Sequence, residues 1–247
     1  MFHVVIPARR ASERLPDKAL LRIGDEAMIV HVWRNAVLSG AVDVIVATDD
    51  EEIAAVARAS GADVAMTSAD HASGTDRIAE VCEQRAWPER DIVVNVQGDE
   101  PLLPPALIGQ VAELLWTHKA AEIGTLAVPL DSKADFHDPN VVKLVTDEDG
   151  FALLFSRSPI PHVRSAPDEV PSIARRHLGI YAYRVYALKK LIAAGPVEIE
   201  TLERLEQLRA LYLGMRIAVT DAQEEPGFGV DTPEDLDRVR ATIEGSH

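Results

Sequence analysis

Short apolar runs alternate with helical periodicities from the start of the chain. Val4-Val5-Ile6 is followed by a helical pattern over Met28 to Leu38, an apolar run from Val42 to Ala47, a second helical pattern over Glu51 to Ala59, and then Val64-Ala65-Met66. Runs this short and this continuous, interleaved with longer helical segments, predict βα units and a mostly parallel sheet covered on both faces. Ile92 to Val96 and Gly124 to Val128 add two more strands, with a helix over Pro105 to Thr117 between them. In such sheets ligands bind beyond the carboxyl ends of the strands, so the residues that follow each strand carry the functional information.

The rhythm changes after Leu130. Val141 to Val145 and Phe151 to Phe155 flank the acidic, Gly-terminated stretch Thr146-Asp147-Glu148-Asp149-Gly150, which predicts an antiparallel hairpin. A polar, proline-bearing segment from Ser158 to Ser172 reads as a long loop, and Leu178 to Tyr183 as a further strand. Leu202, Leu205, Leu208 and Leu211 keep a helical spacing and predict one helix over Glu200 to Leu213. Ile217 to Val219 is a last strand. Thr232-Pro233-Glu234-Asp235 then opens a last helix with an N-cap, a proline at the first helical position and an acid three residues after the cap. No repeat or low-complexity tract interrupts this order. The expectation is one α/β domain over residues 1–247 with an inserted hairpin and loop region from about 139 to 186.

Composition narrows the partners. A chain of 247 residues, 47% hydrophobic, can bury a full core, and its net charge of -15 argues against nucleic acid or an anionic membrane surface. The single cysteine, Cys82, excludes an intrachain disulfide and lies in the apolar-periodic run Ile78-Ala79-Glu80-Val81-Cys82, where it reads as a small buried hydrophobe. The N-terminal apolar run is too short for a signal peptide, and no stretch approaches the roughly 20 apolar residues of a membrane span. The sequence therefore predicts a cytoplasmic protein with no membrane insertion.

Two loops stand out at predicted strand ends. The first strand runs into Pro7-Ala8-Arg9-Arg10-Ala11-Ser12-Glu13-Arg14-Leu15-Pro16-Asp17-Lys18, which gathers four cations in an otherwise acidic chain. A charge run of this kind is commonly a solvated surface, yet a βα loop at the carboxyl ends is also where a triphosphate would lie. No Gly-x-x-x-x-Gly-Lys-Ser/Thr loop is present, so a P-loop nucleotidase is excluded on the motif. The strand Ile92 to Val96 ends in Gln97-Gly98-Asp99-Glu100-Pro101. Gly, Asp and Pro suit a plain turn, and Asp99 at a strand's carboxyl end equally suits a hard-metal anchor. Glu100 points away from its neighbour in an extended chain and serves a structural role as readily as a catalytic one.

The ordered set IPAR with RLPDK, VATDD, DHASGTDR, VNVQGDEP, FSR, RHLGIYAY, LEQLR and VDTPEDL resembles the 3-deoxy-D-manno-octulosonate (Kdo) cytidylyltransferases, or CMP-Kdo synthetases, over almost the whole chain. The resemblance implies a three-layer, GT-A-like α/β nucleotidyltransferase fold with a mostly parallel sheet and the inserted antiparallel hairpin. It implies a reaction of CTP with Kdo that gives CMP-Kdo and pyrophosphate, serving lipopolysaccharide biosynthesis, with Mg²⁺ as cofactor and a homodimer as the assembly. Arg9 and Lys18, with Arg14 in support, become candidates for the triphosphate. Asp99 and Asp231 become the metal ligands, although an acid just before a helix also complements the helix dipole. Ser73, Gly74 and Thr75 are placed at cytosine and ribose, with an N-cap role for Thr75 left open. Arg157, His177, Tyr181, Glu206 and Gln207, with Gln97 as a bridge, are implied for the sugar acid. Relatives of this kind commonly carry Gly at the position of Asp17 and often Tyr at that of Arg10, so an acid beside Lys18 is expected to retune nucleotide binding. An amino analogue of Kdo, a sialic acid, or a non-catalytic nucleotide-sugar sensor are the alternatives, and the presence of Arg9, Lys18, Asp99 and Asp231 argues against the sensor.

Overall fold

The computed structural model describes residues 1–10, 15–166 and 169–245. The first apolar run forms β1 (Phe2–Ala8). A 3-10 turn at Lys18–Leu20 and a ribbon of β2 (Arg22–Ile23) and β3 (Glu26–Ala27) lead into α1 (Met28–Val37). The βα rhythm continues through β4 (Asp43–Thr48), α2 (Glu51–Ala59), β5 (Asp63–Met66), α3 (Gly74–Gln84), β6 (Ile92–Asn95), α4 (Pro105–Thr117) and β7 (Ile123–Pro129). A short α5 (Lys133–His137) precedes the expected hairpin of β8 (Lys143–Thr146) and β9 (Ala152–Ser156). The long strand β10 (Arg175–Arg184) is followed by α6 (Val185–Ala194), α7 (Glu198–Glu203), α8 (Gln207–Tyr212), β11 (Ile217–Asp221) and α9 (Pro233–Glu244).

Among the described residues the main sheet has nine strands, in the order β11-β7-β10-β6-β1-β4-β5 with the hairpin attached to β10. β1 is parallel to β4 and β6, and β7 is parallel to β11, while β10 runs antiparallel between β6 and β7. Val4, Val5 and Ile6 are each 0% exposed because both faces of β1 are covered. Val4 and Ile6 pack with α1, α2 and α4, and Val5 packs with α3 and α6. Full burial of each such side chain is worth about 1.5–3 kcal/mol, which is why the strand reads as a continuous apolar run and not an alternating one. The result is the expected three-layer α/β architecture.

The hairpin takes over the edge of β10 where β6 stops. Tyr181 pairs with Asn95, the last residue of β6, whereas Arg176 and Arg175 pair with Lys143 and Leu144 of β8. Since Arg175 also pairs with Pro129 at the carboxyl end of β7, the hairpin stands beyond the carboxyl ends of the parallel strands. Within 139–186, therefore, the hairpin extends the sheet and β10 from Tyr181 to Arg184 belongs to its centre.

One expectation fails locally. The helix predicted over Glu200 to Leu213 is broken at Arg204, whose φ of 52° ends α7 before α8 begins. The cause lies in the hairpin: Arg157 Nε donates to the Glu203 carbonyl at 2.6 Å and Arg157 Nη2 to that of Arg204 at 3.4 Å, so side-chain donors satisfy carbonyls that a continuing helix would use. Leu205 and Leu208 remain buried, but Leu202 is 77% exposed.

At the other end, α9 opens with the predicted capping box of Thr232 and Asp235 and proline in its first turn. Its Leu236 and Val239 pack with Ile23, Met28 and Val230, which returns the C-terminal segment to the loop after β1. No helix among the described residues is long and apolar enough to cross a membrane.

Candidate active site

Three chain segments converge where β1 and β6 end. A side chain at Gly98 would place its Cβ 2.9 Å from the Pro7 carbonyl oxygen, so only glycine lets the Gln97 to Pro101 loop lie against the end of β1. Gly74, at the start of α3, approaches the Pro7 ring in the same way, with 3.2 Å left for a Cβ. Val230 donates its backbone N–H to the Asp99 carbonyl at 2.8 Å and so fixes Asp231 beside Asp99.

Lys18 joins these segments. Its Nζ donates to Asp99 Oδ2 at 2.7 Å and to Asp231 Oδ1 at 3.0 Å, and its side chain is only 12% exposed. Burial works against the ammonium charge, but Asp99 and then Asp231 outweigh it and hold the Lys18 pKa above its ordinary value. Glu100 feels the same cluster in the opposite sense: burial, then the charges of Asp99 and Asp231, push its carboxyl up to about 7.

The cleft above these residues has two adjoining lobes, of about 390 and 320 Å³, that share Arg9, Ser73, Gly74 and Gln97. The first contains Lys18, Asp99 and Asp231. The second contains Thr75, Tyr181, Glu206 and Gln207. Ser73, not Thr75, caps α3, through a capping box with Asp76. The Thr75 hydroxyl is thereby left to donate to Glu206 Oε2 at 2.8 Å across the second lobe.

Two expected residues line neither lobe. The Arg157 guanidinium is occupied by backbone carbonyls, those of Glu203 and Arg204 already described and that of Pro139 at 2.8 Å. His177 Nε2 lies 3.0 Å from Thr125 Oγ1, whose hydroxyl proton goes to the Ile180 carbonyl at 2.7 Å, so the ring nitrogen is the donor. Burial lowers the His177 pKa to about 3, and the ring is neutral at physiological pH. It packs 5.2 Å from the Tyr181 ring and so borders the second lobe from behind. Arg14 lies outside the described residues. Asp17 does not line the first lobe, and its Oδ1 accepts from Arg10 Nε at 2.8 Å.

The structure adds residues that sequence reading missed. Arg77, 3% exposed, lines the first lobe with its guanidinium bonded to Thr67 Oγ1 and 3.1 Å from Asp49 Oδ1. His71 lines the same lobe, with Nε2 2.5 Å from Glu80 Oε2. In the second lobe Asn95, 3% exposed, and the expected Tyr181 keep a buried Oδ1 and a buried hydroxyl that have no hydrogen-bond partner among the described residues, as suits a site built for a polar ligand. The only signals in the sequence were a polar residue ending an apolar strand and the position of Arg77 one turn after Ser73.

Asp99 and Asp231 also suit a hard divalent cation. Both carboxylates already converge on one positive centre, the Lys18 ammonium, and they are oxygen donors of the kind Mg²⁺ prefers. No group of three or more acidic, histidine or cysteine side chains that could hold a metal ion is present among the described residues, so a cation on Asp99 and Asp231 would take its remaining ligands from outside the protein.

The family model described as Cytidylyltransferase matches residues 3–217. A 3-deoxy-manno-octulosonate cytidylyltransferase of Pseudomonas syringae pv. tomato is 52% identical over 249 residues, covering 98% of this chain and 98% of that protein. The enzyme of the same name from Haemophilus influenzae is 48% identical over 250 residues, again covering 98% of each. Among solved structures, a CMP:2-keto-3-deoxy-manno-octonic acid synthetase complexed with CTP matches with a TM-score of 0.91 and 38% identity over 100% of both chains. Fold and site define a nucleotidyltransferase. The chain belongs to the cytidylyltransferase family and, within it, to the 3-deoxy-manno-octulosonate cytidylyltransferases.

Proposed function

We propose that the protein transfers CMP from CTP to Kdo and releases pyrophosphate, which activates the sugar acid for lipopolysaccharide assembly. The observation that carries this reading is the pair of lobes that meet at Arg9 and Gln97 beside the Lys18, Asp99 and Asp231 cluster. Its support in sequence is the identity of about half the residues, end to end, with relatives named for this reaction.

The first lobe takes the nucleotide. Arg9 and Lys18 face the negative charge that a triphosphate brings and that grows on the leaving pyrophosphate, so their work is positioning and charge stabilisation, with no covalent intermediate. Two of the three N–H donors of Lys18 are held by Asp99 and Asp231, which aims the third at the cleft. Asp99 and Asp231 would hold Mg²⁺, which supplies neutralising charge and a fixed geometry at the phosphates when bound. The second lobe takes the sugar acid: Gln97, Tyr181, Glu206 and Gln207 offer the hydrogen-bonding groups that a polyhydroxylated acceptor requires.

We further read the active form as a cytoplasmic homodimer. Among the described residues strand β9 pairs only with β8 and exposes Leu153 (61%) and Leu154 (37%), and α7, which meets it through Glu203 and Ser156, exposes Leu202. An apolar sheet edge of this kind favours cover by a partner. Sedimentation of Leu153→Lys with Leu202→Glu as a monomer, against a dimeric parent, is the expected result.

Pyrophosphate release on mixing CTP, Mg²⁺ and an acceptor tests the function. Kdo should give pyrophosphate and a CMP adduct by mass spectrometry, and a panel with the 8-amino analogue and a sialic acid ranks the acceptors. CTP binding with no release for any acceptor would favour the sensor.

A further inference from the structure

The cations that follow β1 divide into two electrostatic classes. Arg9 makes no ion pair among the described residues and lines both lobes. Arg10 is engaged by three carboxylates: Nε donates to Asp17 Oδ1 at 2.8 Å, and Nη1 to Glu52 Oε2 at 2.9 Å and to Asp50 Oδ2 at 3.4 Å. A guanidinium already shared among three carboxylates has little attraction left for a phosphate. Its partners, moreover, belong to two different parts of the fold. Asp50 caps α2, accepting from the N–H groups of Glu52 and Ile53 at 2.9 Å each. Asp17 sits in the left-handed region at φ 55° and ψ 25°, and its carbonyl accepts from Leu20 N at 2.8 Å, opening the turn that begins with Lys18.

We propose that Arg10 is a positioning residue that ties Asp17, beside Lys18, to the start of α2 and thereby sets the aim of Arg9 and Lys18. The inference rests on the nucleotide reading of the first lobe. Without Arg10, the carboxylates of Asp17, Asp50 and Glu52 repel one another, and Asp17 loses the contact that holds a backbone conformation uncommon for a residue other than glycine. The turn from Asp17 to Leu20 then samples more conformations, and CTP must order it on binding.

The test is calorimetric titration of CTP into the full-length protein and into Arg10→Ala, Asp17→Asn, the double variant and Lys18→Ala, with acceptor KM measured in parallel. Asn is chosen because it tolerates the left-handed region while losing the charge. Arg10→Ala should weaken CTP about three- to tenfold, a range set by a partly exposed ion network. Asp17→Asn should weaken it by less but in the same direction, the double variant should be no worse than Arg10→Ala, and the acceptor KM should change by less than the CTP affinity does. The sign for Asp17→Asn is decisive. If Arg10 were itself a phosphate ligand, or acted only as bulk charge, removal of an acid beside it would leave CTP binding unchanged or tighten it, and the proposal would be overturned. Unchanged CTP affinity in Arg10→Ala, with Lys18→Ala impaired, also overturns it. Unchanged affinity in Lys18→Ala overturns the nucleotide reading underneath.

Discussion

Replacing Glu100 by Gln removes an acid from the cluster without touching Lys18, Asp99 or Asp231. Burial and the two neighbouring carboxylates raise the Glu100 pKa from an ordinary 4.5 to about 7. Between those values the folded protein keeps a proton that the unfolded chain has lost. The stability contribution is therefore complete below about pH 4.5 and is lost as pH rises through about 7. A gap of that size, fully expressed, is worth about 3 kcal/mol, and water reaching this partly exposed residue through the open cleft reduces it to about 1–2 kcal/mol. Urea unfolding at a series of pH values, with a chelator present, reads the difference between parent and Glu100→Gln. The variant should match the parent near pH 4.5 and exceed it by about 1–2 kcal/mol at pH 8. Asp50, Glu80, Glu200 and Asp235 have lowered pKa values and give the opposite slope, but they do so in both proteins and cancel. Addition of Mg²⁺ should shrink the gap, since a cation held by Asp99 and Asp231 offsets the repulsion that raises Glu100. Parallel pH profiles for the two proteins would refute the reasoning.

Asp99→Asn and Asp231→Asn should each abolish most turnover across a magnesium titration while the melting temperature changes little, and the double variant should lose much less than the product of the single losses, because groups serving one cation act as a unit. Near-normal activity of Asp99→Asn would mean the Gln97 to Pro101 loop is only a turn. Arg157→Ala leaves three carbonyls without their donors, so it should lower stability by about 1–3 kcal/mol and raise the acceptor KM, while CTP affinity measured without sugar holds. A collapse of CTP affinity would tie the support that Arg157 gives to the first lobe instead of the second. Burial pushes the Cys82 thiol up to about 12, so native protein at pH 8 should resist thiol reagents until unfolded, and rapid labelling of folded protein would contradict the buried assignment.

The layers of the fold were legible because burial on both faces leaves a one-dimensional trace. Val4 to Ile6 and Ile92 to Asn95 are apolar or buried at successive positions, and the Thr232 to Asp235 cap announces α9 by local chemistry alone. Strand direction leaves no such trace, since an apolar run reads the same in either sense, and nothing in Leu178 to Tyr183 says that β10 runs against its neighbours. The break at Arg204 was invisible for a related reason. Four leucines at helical spacing fit one helix as well as two, and the donors that decide the matter come from Arg157, 46 and 47 residues earlier in the chain.

The site follows the same division between local and distant causes. Motif chemistry located Arg9, Lys18, Asp99 and Asp231 individually, but their meeting depends on α9 packing back onto the ribbon after β1, a contact no local pattern encodes. Charge type alone does not separate Arg9, Arg10 and Lys18 in the sequence. Their functions separate only through partners: acids 40 and 42 residues further on neutralise Arg10, whereas Lys18 is held by acids 81 and 213 residues away on the rim of the first lobe. Arg157 and His177 follow the same rule. Each stands in a motif tied to the sugar acid, yet one is consumed by backbone carbonyls and the other is a buried neutral ring behind Tyr181, so on the proposed assignment of the lobes a sugar carboxylate in the second lobe would meet its positive charge first in Arg9, Arg204 and Arg209, which line that lobe. Of these, Arg209 is already paired with Glu200 through its Nε at 2.7 Å, which leaves Arg9 and Arg204 as the cations with charge to offer the acceptor.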